Sequence, residues 1–171
     1  MDSLVNDEGY DLNKIIVKPL YFGMLVNIVI PMVLLLVCYY LEAKGNWSNS
    51  IGEFAGTLFY VLIVLSLAQA GWSLWQRGKL FNQPLIKRKE TFEEDIIKGL
   101  LKRAKPIFVS IALIALYGYV FFFLTGRFKE TVFFVVFSFI VFQVVRPRFG
   151  FVKKLIKSQK KLIEQGKFYN E

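Results

Sequence analysis

Histidine is absent from this sequence, and cysteine occurs once, at Cys38. Without histidine the chain has no side chain with an unperturbed pKa near neutrality, and it cannot give imidazole ligands to haem iron or another metal. A single cysteine excludes an intramolecular disulfide and a dithiol redox pair. We therefore expect a protein that is not an enzyme, with no catalytic residues, no cofactor and no metal site.

Charged residues are missing from four long runs of the chain. An α-helix needs about 20 apolar residues to cross the hydrocarbon core of a bilayer, and three of the runs are long enough. The shortest would form a helix about 22 Å long, which can span where flanking cations reach the surface and the bilayer thins. The runs are Leu20–Leu41, Phe54–Trp75, Ile107–Leu124 and Thr131–Val145, with 22, 22, 18 and 15 residues.

The shortest run is rich in Phe, Val and Ile, which favour β-strands. A lone strand cannot satisfy its backbone hydrogen bonds in lipid, so a helix is the better interpretation. The whole chain is 55% hydrophobic with a mean hydropathy of +0.46, which is too apolar for an ordinary soluble domain. We predict an all-α integral membrane protein with four transmembrane helices arranged as two hairpins.

Basic residues are distributed unevenly between the connecting segments. Nineteen Lys and Arg lie before the first run, between the second and third runs, and after the fourth, while the other two connections hold three. Cytoplasmic segments carry the excess of Lys and Arg, so both termini are predicted to be cytoplasmic. The expected single membrane domain (1–171) has a cytoplasmic N-terminus (1–19), a first hairpin (20–75), a basic cytoplasmic loop (76–106), a second hairpin (107–145) and a basic tail (146–171).

Both predicted hairpins begin with a Lys-Pro pair, Lys18-Pro19 in the first and Lys105-Pro106 in the second. Proline suits the first turn of a helix, where its missing N–H is not needed. Two interpretations stay open. The hairpins are a parallel internal repeat, or they look alike because both start from a basic cytoplasm.

Two polar segments have the apolar periodicity of amphipathic helices. In the loop, Thr91 and Glu94 have capping-box spacing before an apolar face. In the tail, Leu155, Ile156 and neighbouring apolar residues alternate with lysines, a pattern typical of helices on anionic membrane surfaces. A solvated helix and a partner-binding helix are the alternatives. The expected contacts with lipid headgroups or partners are Arg77, Arg146, Arg148, Lys153, Lys154, Lys157, Lys160 and Lys161.

Three amide side chains, Asn27, Gln69 and Gln143, interrupt the apolar runs. An amide in hydrocarbon needs a partner, and hydrogen bonds between helices are the expected arrangement. A polar pocket near the inner leaflet is the alternative. Gly52 and Gly56 form a GxxxG pattern, which predicts close packing of another helix unless Gly52 is only a loop residue.

The predicted layout resembles, in topology alone, small accessory proteins of bacterial ATP synthases and eukaryotic membrane-shaping hairpin proteins. No motif is shared, so no residue role follows from this likeness. We expect a non-catalytic accessory, assembly or scaffold subunit of a larger membrane complex. Its expected partners are anionic lipids and other membrane subunits or further copies of itself, without nucleic acid. A bacterial inner membrane is favoured over a eukaryotic endomembrane. The alternative functions are a small oligomeric transporter or channel and a membrane-shaping hairpin protein.

Overall fold

A computed structural model of the protein describes residues 11–45 and 51–169. Regular structure in these residues is helical throughout, with no strand. A short π-helical segment lies between α1 and α2, and a 3-10 turn, Lys89–Thr91, precedes α4. The helices are α1 (Leu12–Met24), the π-helical segment (Leu25–Val29), α2 (Ile30–Ala43), α3 (Phe54–Lys79), α4 (Phe92–Thr125), α5 (Phe128–Val145) and α6 (Phe149–Glu164).

Four of these helical stretches are long and apolar enough to cross a membrane. They are Leu12–Ala43, Phe54–Lys79, Phe92–Thr125 and Phe128–Val145. This confirms the predicted all-helical chain with four such helices, compatible with a multi-pass membrane protein. The fourth has 18 residues and is about 27 Å long, so it exceeds the charge-free run from which it was predicted. The hairpin arrangement and the orientation stay predictions.

Contacts divide the chain into two compact units. One unit comprises Met1–Phe22, Leu74–Ile107 and Arg146–Glu171. It contains nineteen of the 22 Lys and Arg residues, and we call it the basic unit. The other comprises Gly23–Ser73 and Phe108–Val145, and we call it the apolar unit.

The basic unit has a hydrophobic core of its own. Three segments that are distant in the sequence contribute to it: the start of α1, residues 80–100, and α6. Ile15, Ile96 and Leu155 are fully buried there. The apolar face of the tail helix therefore packs against its own chain and is not available for insertion into a membrane in this structure.

Helix α4 begins at Phe92, directly after Thr91, but the side chains at its start pair differently from the sequence prediction. Thr91 donates its hydroxyl to the carboxylate of Asp95 at 2.9 Å, whereas Glu94 pairs with Lys98 at 3.3 Å. The predicted capping box between Thr91 and Glu94 was therefore wrong, and the Thr91 side chain bonds to Asp95 instead. Pro19 and Pro106 also lie inside α1 and α4, not in their first turns, because both helices extend into the polar segments.

In the apolar unit, side-chain hydroxyls join neighbouring helices by bonding to backbone carbonyls. Tyr119 donates to the Pro31 carbonyl at 2.5 Å, Thr131 to the Gly118 carbonyl at 3.0 Å, and Ser138 to that of Ile111 at 3.0 Å. Each bond satisfies a buried hydroxyl and fixes the register of one helix against another.

The π-helical segment has a local cause in Pro31. Proline has no N–H to offer to the Asn27 carbonyl four residues earlier, so regular α-helical bonding cannot continue there. The Ile30 N–H instead bonds to the Leu25 carbonyl, five residues back. The helical hydrogen bond thus spans five residues instead of four at this point. The change lies at a buried amide side chain, because Asn27 is only 2% exposed.

Candidate anion-binding groove and intramembrane amides

The orientation of α6 is fixed by one buried glutamine in its last turns. The Gln159 side-chain oxygen accepts a hydrogen bond of 2.8 Å from the Leu85 N–H. Its amide nitrogen donates to the carbonyls of Leu80 and Gln83 at 3.3 and 3.0 Å. Gln159 is fully buried, so every polar atom of this side chain is used to hold the helix against the segment that follows α3.

Three lysines of α6 point away from this contact. Lys154, Lys157 and Lys161 are exposed and lie three and four residues apart, which places them in one stripe along the helix. Gln159 and the apolar residues occupy the opposite face. The stripe is therefore positioned by a packed core and is not the result of a mobile tail.

The lysine stripe forms one side of an open groove of about 540 Å³. Phe81 and Asn82 line the facing side, and Lys167 contributes a fourth cation from the segment after α6. Ser158 donates a hydrogen bond to the Phe81 carbonyl, which joins the two sides at their base.

Among the residues that the structure describes, no acidic side chain lines the groove. In the described part of the chain, none of its four lysines forms an ion pair, and two acidic groups of the basic unit pair with other lysines. Glu93 pairs with Lys14 at 3.4 Å, and Glu94 pairs with Lys98. Four uncompensated ammonium groups in one concavity create a positive potential that favours an anionic ligand.

The carboxy-terminal segment returns to the basic unit through Tyr169. Its backbone N–H donates to the Ile86 carbonyl at 2.8 Å. The ring lies 5.8 to 5.9 Å from the cationic groups of Lys87, Lys102 and Arg103, within the range of cation–π attraction. This contact places Lys167, two residues earlier, at the groove.

Asp95 organises the loop that precedes α4. Its carboxylate accepts hydrogen bonds from the backbone N–H groups of Lys87 and Arg88 at 2.9 and 3.3 Å, and from Thr91. Burial alone would raise the pKa of Asp95, but these bonds and the charge of Lys87 outweigh it and hold the pKa below its ordinary value.

The predicted arginine contacts lie at the other end of α6. Arg77 is partly buried, with its guanidinium 4.7 Å from the ring centre of Phe151, and it is close enough to Arg148 for their like charges to interact. Arg146 is also partly buried, and its Nε has no hydrogen-bond partner among the described residues. None of the three lines the groove. Lys153 and Lys160 do not line it either, so the structure brings together three of the eight predicted contacts.

The three intramembrane amides do not share one arrangement. Asn27 donates to the Gly23 carbonyl of its own helix at 3.1 Å, and its side-chain oxygen has no partner among the described residues. The side-chain oxygen of Gln69 is also without one in this part of the chain. Asn27 thus bonds within its own helix in the described chain, and its predicted role between helices stays a prediction. Gln143 is partly buried near the end of α5, and its expected role stays a prediction.

Close helix approach occurs at glycines other than the predicted pair. Gly52 has a φ of +50° and lies in the turn before α3, as the loop interpretation expected. Nothing among the described residues comes within 4 Å of a Cβ built on Gly52 or Gly56. At Gly118, by contrast, a Cβ would lie 2.9 Å from the Phe134 Cβ. The predicted close packing at Gly52 and Gly56 therefore stays a prediction.

Among the described residues, no group of three or more His, Cys, Asp or Glu side chains is placed to hold a metal ion. The chain matches no protein-family model, and no curated protein or solved structure is significantly similar to it. Function must therefore be argued from the chain itself.

Proposed function

We propose that this protein is a non-catalytic, multi-pass integral membrane protein that serves as an accessory, assembly or scaffold subunit of a larger complex. It contacts anionic lipid through a basic cytoplasmic face. The main support for this proposal is that nineteen of the 22 Lys and Arg residues lie in the basic unit. A bacterial inner membrane is the favoured setting.

The charge asymmetry supports an arrangement of two hairpins with both termini in the cytoplasm. Positively charged segments are retained on the cytoplasmic side during insertion. In this arrangement the basic unit lies beside the inner leaflet, whose anionic headgroups attract Lys and Arg. Because the basic unit has a hydrophobic core of its own, its cationic surface has a fixed shape, which supports a role in binding.

The apolar surface of the first two spans supports contact with other subunits. Only 17% and 22% of the most apolar windows in Leu12–Ala43 and Phe54–Lys79 are buried, compared with 56% in Phe92–Thr125. Tyr60 on α3 is 69% exposed. Lipid can cover such a surface, and so can the helices of a partner.

Orientation is tested by single-cysteine labelling of intact cells. Cys38 is 2% exposed, so a Cys38→Ala chain gives a background in which each new thiol is read alone. A membrane-impermeant reagent should label Lys44→Cys but reach Lys87→Cys and Lys160→Cys only after permeabilisation. Labelling of Lys160→Cys in intact cells would refute the cytoplasmic tail.

The partner is tested by photo-crosslinking in native membranes. A photoreactive phenylalanine replaces Tyr60, with Phe123 on α4, which is 51% exposed, as the matched control. A subunit should give one discrete protein adduct from the Tyr60 position and lipid adducts alone from the Phe123 position. Lipid adducts alone at both positions would contradict the subunit proposal.

A transporter or channel is the second candidate, and Asn27 favours it. Its buried side-chain oxygen lacks a partner in the described chain, and it lies in a π-helical segment, a feature frequent at functional sites. Solute flux through reconstituted vesicles should then fall in an Asn27→Leu variant, with the buried Ser66→Ala variant as the control. Absence of flux in the unaltered chain would remove this candidate.

A further inference from the structure

The geometry points to a binding site for the phosphate-bearing headgroup of an anionic membrane lipid in the groove formed by Lys154, Lys157, Lys161 and Lys167. This inference rests on the proposed lipid contact of the basic face and makes it specific. The lipid is then held at one groove with defined lining residues and not only attracted by the overall charge of the basic face.

The first argument is the fixed position of the cations. Lys154, Lys157 and Lys161 share one stripe of α6, and Gln159 with the buried apolar face prevents the helix from turning about its axis. A ligand that binds here does not have to order a mobile tail. Pre-organised charges bind a multivalent anion more tightly than the same charges on flexible segments.

The second argument is the composition of the lining. Four lysines line the groove together with neutral hydrogen-bonding side chains, among them Asn82 and Gln165, and no carboxylate of the described chain lines it. Ammonium groups bind phosphate oxygens as point charges, while amides can donate to or accept from hydroxyl groups of a headgroup. The volume of about 540 Å³ is sufficient for such a headgroup.

The third argument concerns the source of the ligand. Phe81 follows Trp75, the last residue of the second apolar run, by six residues. At no more than about 3.6 Å per residue, this segment spans at most roughly 22 Å. The aromatic Phe81 and aliphatic Leu162 also line the groove, so an apolar contact lies beside the cations. A lipid supplies both a phosphate and an apolar portion, whereas a free phosphate ester supplies only the first.

The site is tested on the full-length protein in detergent micelles. Phosphatidylglycerol, phosphatidylcholine or soluble glycerol 3-phosphate is titrated in, and bound ligand is counted by native mass spectrometry. The groove variant combines Lys154→Gln, Lys157→Gln and Lys161→Gln. The control combines Lys18→Gln, Lys98→Gln and Lys105→Gln, which remove the same charge from the basic unit outside the groove.

One cation near an anionic surface changes affinity by about fivefold. We expect the groove variant to bind phosphatidylglycerol at least about tenfold more weakly, and the control to change by less than about threefold. An equal loss of affinity for phosphatidylglycerol in both variants would overturn the site and leave only a general attraction between the basic face and anionic lipid. No preference of the unaltered chain for phosphatidylglycerol over phosphatidylcholine would overturn the proposed lipid contact as well. Binding of glycerol 3-phosphate as tight as that of phosphatidylglycerol would overturn the assignment to a lipid.

A second measurement needs no substitution, so it does not depend on the folding of a variant. Lysine acetylation is followed residue by residue in the unaltered chain, with and without phosphatidylglycerol. The lipid should slow modification of Lys154, Lys157, Lys161 and Lys167 by at least about fivefold relative to Lys18 and Lys98. Uniform protection of all lysines would contradict a defined site.

Discussion

The side-chain oxygen of Gln159 accepts a hydrogen bond of 2.8 Å from the backbone N–H of Leu85, 74 residues earlier in the chain. This bond joins the carboxy-terminal helix to the segment between α3 and α4. By its spacing, Gln159 falls on the apolar face of α6, three and four residues after Ile156 and Leu155, but the sequence does not show what it bonds to. The bond explains how a helix with five lysines is held with its apolar face inward and its charges outward.

Replacement of Gln159 by leucine should loosen the tail. The change leaves the Leu85 N–H and the carbonyls of Leu80 and Gln83 without their partner, and each unsatisfied buried group costs about 1–3 kcal/mol. Hydrogen–deuterium exchange should accelerate across residues 80–86 and across α6. The exposed Gln165→Leu variant is the control. Unchanged exchange in Gln159→Leu would mean that apolar packing alone fixes the helix.

Gly118 is expected to be the glycine least tolerant of a side chain. A Cβ at Gly118 would lie 2.9 Å from the Phe134 Cβ and 3.0 Å from the backbone oxygen of Thr131, and a backbone atom cannot move aside cheaply. Gly118→Ala should lower stability by about 1–3 kcal/mol, measured as a reduced apparent Tm in detergent.

Gly56→Ala and Gly71→Ala are the matched controls for this measurement. A Cβ at either position would meet nothing within 4 Å in the described chain, and alanine favours a helix over glycine. Their Tm should stay the same or rise. A loss at Gly56 as large as that at Gly118 would indicate a contact with a second chain, as the GxxxG pattern predicts.

The four apolar helices could be predicted from the sequence because a bilayer imposes one length and one polarity on any span. The basic unit could not be predicted from the sequence in the same way. Its core joins Ile15, Ile96 and Leu155, which are too far apart in the sequence for periodicity to pair them. Periodicity identified the apolar face of α6 correctly, but not what covers it. A lysine-rich amphipathic pattern is the same for a helix on a membrane and a helix on a small protein core.

The contacts that hydroxyl groups make between helices were not predicted from the sequence. The amides are conspicuous because they interrupt apolar runs. Tyrosine, threonine and serine are common in spans, so the sequence does not single out Tyr119, Thr131 and Ser138. A hydroxyl reaches a neighbouring carbonyl only where two backbones approach closely. That approach depends on tertiary packing, as at Gly118, whose carbonyl accepts from Thr131.

Tyr119→Phe should remove one of these contacts at nearly constant volume. The hydroxyl donates to the Pro31 carbonyl at 2.5 Å, and Tyr119 is 4% exposed. The expected loss is about 0.6–1.7 kcal/mol, the range for hydrogen bonds between spans. Thermal unfolding in detergent measures it, with Tyr117→Phe as the control because Tyr117 has no such bond in the described chain. Equal stability of both variants would show that the bond contributes nothing.

The loop before α4 should weaken at acidic pH through Asp95. Its carboxylate accepts from the Lys87 and Arg88 N–H groups and from Thr91, and its pKa lies below the ordinary value of 3.8. A group with a depressed folded-state pKa contributes stability that is complete above its unfolded pKa. That contribution is lost as the pH falls through the folded-state pKa, so the loss should begin below about pH 4.

Asp95→Asn isolates this effect. The amide cannot carry the charge that strengthens the three bonds, and we expect a loss of about 1 kcal/mol at pH 7, at the low end for charged partners because Asp95 is partly exposed. The difference from the unaltered chain should narrow as the pH falls below 4, because the native carboxylate is then protonated as well. Proteolysis within residues 86–92, followed from pH 7 to pH 3, measures this convergence. Glu94→Gln is the control, since Glu94 forms an exposed pair with Lys98 and should change little at any pH. A difference between Asp95→Asn and the unaltered chain that stays constant over this range would show that Asp95 acts by its shape and not by its charge.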